Sequence, residues 1–377
     1  MNKISEVGKR VVRKKSTTRG NGTPSYAKTT QVAAPIDNPQ LQEALRVHRE
    51  EALKRGRKLK KPLKKARFHV MMGSLAVIFG LVVSFFIYSF YLLQVRQSYS
   101  NLAYSLARLA PYDASVVDGH KVSYEEYLFI LKQNVHYLVE FNGVGAEKID
   151  VNTEDGNRII EQKKIEALAQ AEGYTFIRAK AKELGINVSD KEVEDAIDEL
   201  LTYRGNSDRD ELATTLKAHY GWEVSDYERF YKDVLLKKKV LASLDQSAKN
   251  NINAARDKLA AGAVFGDVAK ELSQDESSKL NGGKIGRINL KLNNANFSYT
   301  ILETLKNLPE GSNSEVVITN DSFYLFRNTK TYSEDEKEVE MIRIPFKTVD
   351  EYLQDLQNQG KITRHIKFVE QDEVPQE

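Results

Sequence analysis

The hydrophobic positions of this chain change their spacing several times, and each change marks a different kind of segment. From Val70 to Val95 there are 26 consecutive residues without a charge, including the run Leu75-Ala76-Val77-Ile78-Phe79-Gly80-Leu81-Val82-Val83. At about 1.5 Å per residue such a helix crosses a hydrocarbon layer of about 30 Å with room for tilt. Only a helix satisfies its own backbone there. Ala76, Gly80 and Ser84 recur on one face, a pattern that permits helix pairing and is also common by chance. Upstream, residues 1–40 mix Ser, Thr, Gly, Asn and Lys with too little apolar content for a core, which predicts disorder. Leu41, Leu45 and Val47 then permit a short helix between Pro39 and Arg57.

Beyond the apolar run, helical spacing returns in shorter pieces. Residues Gln97 to Leu109 predict a continued helix that hands over to Pro111. In Ser115-Val-Val-Asp-Gly-His-Lys-Val-Ser123 the Asp118-Gly119 dipeptide between β-branched residues predicts a hairpin. Ser123 with Glu126 forms a capping-box pattern and opens a helix to about Glu140, with Tyr124, Tyr127, Leu128, Leu131 and Val135 as its stripe. A second helix runs from about Asn157 to Leu184 and stops at Gly185. A third starts after Ser189, with Glu192 in box position, and ends near Tyr203; a fourth covers Asp210 to Tyr220. Ser225 with Glu228 predicts the cap of a fifth, from Asp226 to about Leu244.

Charge sharpens this division. Over all 377 residues, 56 Lys and Arg nearly balance 53 Asp and Glu, yet residues 1–67 hold 19 basic against 5 acidic residues. The remainder is acidic. Arg55, Arg57, Lys58, Lys60, Lys61, Lys64, Lys65 and Arg67 crowd the start of the apolar run, and the positive-inside rule keeps such a cluster in the cytoplasm. The expectation is an uncleaved, single-pass signal anchor in the cell membrane, N-terminus cytoplasmic and C-terminal domains extracytoplasmic. Tyr88, Tyr91 and Tyr99 suit the far interface. With no aromatic interleaving beyond Tyr26 and no binding motif, the basic tail reads as a topology signal in contact with membrane lipid, and no specific nucleic acid is expected.

The order of Val117-Asp-Gly-His-Lys-Val-Ser123, Ala181-Lys-Glu-Leu-Gly-Ile-Asn-Val-Ser-Asp190 and Tyr220-Gly-Trp with Tyr227 and Leu235-Leu-Lys-Lys-Lys239 resembles the N-terminal helical domain of SurA, PrsA and PpiD-type extracytoplasmic foldases. Residues 254–330 resemble the parvulin, or PpiC-type, peptidyl-prolyl isomerase domain. The most specific string is Ser273-Gln-Asp275-Glu-Ser277-Ser-Lys-Leu-Asn-Gly282-Gly283-Lys-Ile-Gly286, similar to that family's serine-aspartate turn and Gly-Gly-x-Leu-Gly signature. Its glycines serve positive φ and close backbone approach. Beside the largely disordered basic tail at 1–67 and the transmembrane anchor at 68–95, the resemblance implies a SurA N-like helical chaperone domain at 96–250, a parvulin-like domain at 251–332 and a strand-helix-strand segment at 333–377, an α+β chain in five parts.

The resemblance to the fold is closer than the resemblance to the active site. Members of the family carry a histidine on the first strand and another on the last, with Met and Phe side chains around the proline ring. Here the helix through Leu235 runs almost directly into Asn250-Asn-Ile-Asn-Ala254, so the first strand is missing. Tyr324 stands at the position of the last-strand histidine and Leu292 or Asn293 near the methionine, while Phe297 is either what remains of the proline pocket or ordinary core. Tyrosine donates a hydrogen bond but does not exchange protons near neutral pH as imidazole does. The expected substrate contacts are therefore Leu292, Phe297 and Tyr324, with no catalytic residue assigned. Asp275, Ser277, Gly282, Gly283 and Gly286 form the structural motif. Glu338-Val-Glu-Met-Ile-Arg-Ile-Pro-Phe346 alternates as a strand, Val349 to Gln357 is a helix, and a strand follows around Thr363 to Val369. A returning strand either replaces the missing first one or pairs with the hairpin near Val117; the second arrangement is favoured.

Absent chemistry narrows the function. Zero Cys removes thiolate nucleophiles, cysteine zinc sites and iron–sulfur ligation. The six histidines (His48, His69, His120, His136, His219 and His365) lack metal-ligand spacing, and no phosphate-loop or dinucleotide pattern occurs, so no cofactor is expected. The reading is a membrane-anchored chaperone that holds unfolded secreted or envelope polypeptides near the translocation machinery, with weak or no isomerase activity. The rivals are an active prolyl isomerase and a non-catalytic membrane scaffold.

Overall fold

The computed structural model describes residues 39–142, 147–203, 205, 208–291 and 297–368; the disorder expected of residues 1–40 lies outside them except at Pro39 and Gln40, which open a helix. The chain divides into two units, Met1–Gly80 and Leu81–Glu377. Helix α1 runs from Pro39 to Phe90 without a break, joining the expected short helix and the apolar run into 52 residues. Arg67–Val95 is long and apolar enough to cross a membrane. Along Val70–Phe79 the large apolar side chains are exposed.

The expected continuation of helix through Gln97 is corrected. After a π-helical turn at Tyr91–Val95, Gln97 takes a positive φ of 45° and the chain breaks. Helix α2 (Asn101–Leu109) then starts afresh, with Ser100 Oγ accepting from the Ala103 N–H. Strands β1 (Asp113–Val117) and β2 (His120–Ser123) form the expected hairpin, with Asp118 and Gly119 both at positive φ. Helix α3 (Tyr124–His136) passes into a π-helical turn at Tyr137–Phe141, and α4 (Glu154–Leu184) ends on Gly185 in the left-handed region. The Ser123 hydroxyl caps α3 as expected, but the box does not close: the Glu126 carboxylate turns instead to arginines of other helices.

Helices α5 (Asp190–Tyr203), α6 (Arg209–Tyr220) and α7 (Val224–Leu244) complete the helical part. The cap of α7 is not Ser225 but Glu223, which closes a box with Asp226 and starts the helix two residues early. A carboxylate reaches the third N–H as a hydroxyl does, so the acidic pair wins the register. Asp245 caps α8 (Gln246–Ala260) directly after α7, so no strand separates them.

Helix α9 (Phe265–Leu272) leads to β3 (Lys284–Asn289), α10 (Tyr299–Asn307), β4 (Val317–Ile318), β5 (Ser322–Ser333) and β6 (Glu336–Pro345). Helix α11 (Val349–Asn358) and β7 (Ile362–Arg364) end the described chain. The four-stranded sheet has the order β3-β6-β5-β4 and extends past residue 332, because β6 inserts at its centre. Strand β7 joins the other sheet, in the order β2-β1-β7, with Val117 opposite Ile362. Both arrangements weighed for the returning chain thus occur, in different strands. Arg364 fixes the second by a paired contact with Glu172, which is fully buried on α4.

The alternation of β5 and β6 decides the packing. Phe323, Leu325, Ile342 and Ile344 face a core shared with α8, α9 and the helical part; Tyr324, Phe326, Val339 and Met341 face a second core with α10. Lys337 reaches under α10, donating to the carbonyls of Leu305, Lys306 and Leu308 at 2.7, 2.8 and 2.7 Å, where helical partners run out.

Candidate functional site

The glycine motif builds a turn that locks β3 against β6. Asp275 Oδ2 accepts from Ser277 Oγ at 2.6 Å, Ser278 Oγ at 2.6 Å and the Ser278 N–H at 2.9 Å. Burial alone would raise this carboxyl; these hydrogen bonds and the nearby Arg343 hold it below the usual range. A Cβ on Gly283 would lie 2.4 Å from the Met341 carbonyl oxygen, and its φ is +77°, so only glycine fits. Gly282, closing the short helical turn at Lys279–Asn281, and Gly286, beside a register shift in β3, also have positive φ.

Of the expected substrate contacts, Phe297 and Tyr324 come together around one ring. Tyr324 stacks on Phe326 at 5.5 Å, and Phe297 meets the same ring edge-on at 6.5 Å. Tyr324 is 8% exposed and Phe297 half-buried, so both serve the second core. Burial pushes the Tyr324 hydroxyl up. Leu292 and Asn293 lie outside the described residues.

Opposite Tyr324 in the ladder stands Arg343, a residue the sequence reading passed over. Its Nε donates to Ser322 Oγ at 2.9 Å and its terminal nitrogen to Asp321 Oδ2 at 2.7 Å, while its guanidinium lies 6.0 Å from the Tyr324 ring centre. Its backbone joins Ser273 and Gln274 of the motif turn. No local signal marks Arg343, since its place depends on β6 pairing with β5 across a hairpin. The cluster of Asp275, Asp321, Tyr324 and Arg343 donates and accepts hydrogen bonds, but an arginine stays charged and shuttles no proton.

A second feature is a groove of about 530 Å³ along α4 and α7. Ala169, Tyr174, Ile177, Phe230, Val234 and Val349 line it, with Glu166, Lys237 and Asp350 among its polar neighbours. The α4 residues follow helical spacing; Val349 arrives because α11, which it opens, packs over α4, close enough that a Cβ on Gly173 would lie 3.1 Å from its side chain. Gln170 Nε2 donates to Tyr174 Oη at 2.9 Å, and burial raises that hydroxyl.

Two family models match this chain in tandem: a SurA-like N-terminal domain over residues 63–241 and a PPIC-type PPIASE domain over residues 234–330. The chain contains a SurA-like N-terminal domain followed by a PpiC-type parvulin domain. Foldase protein PrsA of Clostridium botulinum (strain 657 / Type Ba4) is 25% identical over 213 residues, 46% of this chain and 62% of that relative. The chain thus spans less than two thirds of that relative's length. Among solved structures, PrsA peptidylprolyl isomerase of Bacillus anthracis is 20% identical, covering 51% of this chain and 86% of that one with a TM-score of 0.18. A structure of SurA-like chaperones from Campylobacter jejuni is 17% identical, covering 66% and 92% with a TM-score of 0.25. At such scores the overlays add nothing to the family match.

The two matched spans overlap in α7 at residues 234–241, and just ahead of that overlap half-buried arginines and buried carboxylates tie α7 to α3 and α4. Arg178 on α4 donates from Nη1 to Glu126 at 2.9 Å and from Nε to Asp233 at 2.9 Å. Arg229 pairs with Glu125 at 2.8 and 3.0 Å and with Glu126. The side chains of Glu126 and Asp233 are 6% and 8% exposed. Burial would raise Glu125, but hydrogen bonds from Arg229 and Tyr104 overcome it and hold the carboxyl down. Asp233 and Arg178 adjoin Val234 and Ile177, so this network ties together the two helices that wall the groove.

Proposed function

We propose that the chain is a membrane-anchored, extracytoplasmic foldase that holds unfolded secreted or envelope polypeptides and has weak or no prolyl isomerase activity. The α4–α7 groove carries this reading. Its apolar lining and polar rim suit a short extended stretch of a client, whose apolar side chains leave water while its backbone stays accessible. Release then requires no nucleotide, because an exposed groove binds weakly and reversibly.

The isomerase part rests on the cluster around Tyr324. Rotation about a prolyl bond faces a barrier of about 18–20 kcal/mol, and lowering it requires a pocket that clamps the ring and polarises the amide. Tyr324 is spent on the second core, and Arg343 is engaged with Asp321 and Ser322. The apolar segment Arg67–Val95, behind its basic cluster, supports the anchor and its orientation.

The test uses the full chain in phospholipid nanodiscs. Aggregation of a chemically denatured client is followed beside cis/trans relaxation of a proline tetrapeptide. Suppressed aggregation that Ala169→Trp abolishes by filling the groove, with relaxation at the uncatalysed rate, is the expected result. Suppression unaffected by Ala169→Trp overturns the groove; accelerated relaxation overturns the isomerase part.

A further inference from the structure

The apolar segment does not hand over to a linker. Its last turns are already core of the Leu81–Glu377 unit: Ser89 and Leu93 are fully buried and Leu92 is 7% exposed. The Tyr112 hydroxyl donates to the Phe86 carbonyl at 3.1 Å, and the Tyr124 hydroxyl donates to the Leu93 carbonyl. Gln97 Nε2 adds a bond to the Lys367 carbonyl at 2.7 Å. Lipid therefore reaches the whole circumference of the helix only as far as about Tyr88, beyond which Phe90 and Tyr91 stay about half exposed on one side. Phe68 to Ile87 is 20 residues, about 30 Å of helix, which equals the hydrocarbon thickness.

Beyond that limit the chain still presents apolar side chains to the outside. Val95 is 62% exposed, Leu102 52% and Leu109 72%. Leu102 and Leu109 are seven residues apart and share one face of α2, while Ala103, Leu106 and Ala107 bury the opposite face. Exposed Arg96 and Arg108 stand beside them. One exposed leucine needs no explanation. Two on one face of a nine-residue helix, flanked by arginines and starting within fifteen residues of the lipid limit, match the composition of a helix lying in the headgroup layer.

We propose that the Leu81–Glu377 unit is seated directly on the bilayer surface, with α2 embedded in the lipid headgroup layer through Leu102 and Leu109. This rests on the membrane reading above. It adds that the groove works at a fixed height over the lipid, on clients at the membrane surface.

The absence of native cysteine makes the test direct. Single cysteines at Val77→Cys, Leu102→Cys, Leu109→Cys and Glu334→Cys are labelled with an environment-sensitive fluorophore on the full chain. The protein is placed in vesicles of phosphatidylcholine and phosphatidylglycerol at 3:1. Labels at 102 and 109 are expected to shift to the blue relative to 334 and to be quenched several-fold more by nitroxide on lipid headgroups than by soluble nitroxide. Lipid quenching at 77 with aqueous behaviour at 102 and 109 overturns the seating and leaves the anchor standing. Aqueous behaviour at 77 overturns the anchor and the seating together. Should either leucine variant fail to fold, Ser105→Cys reports from the same exposed arc.

Discussion

Replacing Arg178 by Met tests whether the buried charge network holds α4 to α7. The variant keeps most of the aliphatic stem and removes every hydrogen bond to Asp233; Glu126 keeps Arg229. Asp233, 8% exposed, is left without its arginine. Removing one partner of a buried pair costs about 3–5 kcal/mol. The Arg178 side chain is 37% exposed, so water reaches part of the pair and the lower end applies, about 3 kcal/mol. Against a total stability of about 5–15 kcal/mol this is a large loss, lowering the melting temperature by roughly 6–12 °C. Thermal melting of the full chain followed by circular dichroism measures it. The double variant Arg178→Met with Asp233→Leu should recover most of the loss, because two apolar residues replace two charges. A single variant within about 1 kcal/mol of the parent would show the pair to be worth no more than a surface one, and the account of the groove walls would fail.

Gly283→Ala should destabilise the sheet by about 2–4 kcal/mol, from the strained φ and the contact with the Met341 carbonyl; loss of amide protection in β3 and β6 by hydrogen exchange checks it. The depressed Glu125 carboxyl contributes stability above its unfolded value, about pH 4.3, and loses it as pH falls through the lower folded value. Glu125→Gln should therefore lower stability at neutral pH and flatten its dependence below about pH 4, and an unchanged acid limb would refute the assignment. Val234→Glu places a charge in the groove and should weaken suppression of client aggregation several-fold while shifting the melting temperature little; undiminished suppression would place the client elsewhere. Tyr324→His should leave proline relaxation at the uncatalysed rate, since the site is core and Arg343 remains opposite; acceleration would mean that one imidazole suffices.

What the sequence determined by itself was local. The charge-free run from Val70, the Asp118-Gly119 hairpin, the Ser123 and Ser189 caps, the stop at Gly185 and the glycine motif all depend on neighbours within a few residues, so their spacing alone implies their geometry. The junction of α7 and α8 without a strand was legible for the same reason. The register at Glu223 was not, because competing side chains a residue or two apart offer nearly equal caps and packing chooses among them. The break at Gln97 was also hidden: it follows a stretch gripped by Tyr112 and Tyr124, which lie 26 and 31 residues beyond the Phe86 and Leu93 carbonyls they bind.

Only the tertiary structure decided where the chain's return strands go. The alternation of Glu338 to Phe346 fits either sheet equally well; the place of β6 between β3 and β5 follows from which face must cover α10 and which must cover α8 and α9. That choice sets Arg343 opposite Tyr324 and delivers Val349 to the groove. A strand's pattern states which side is apolar and carries no address for its partner, so the burial of two cores at once supplied the pairing.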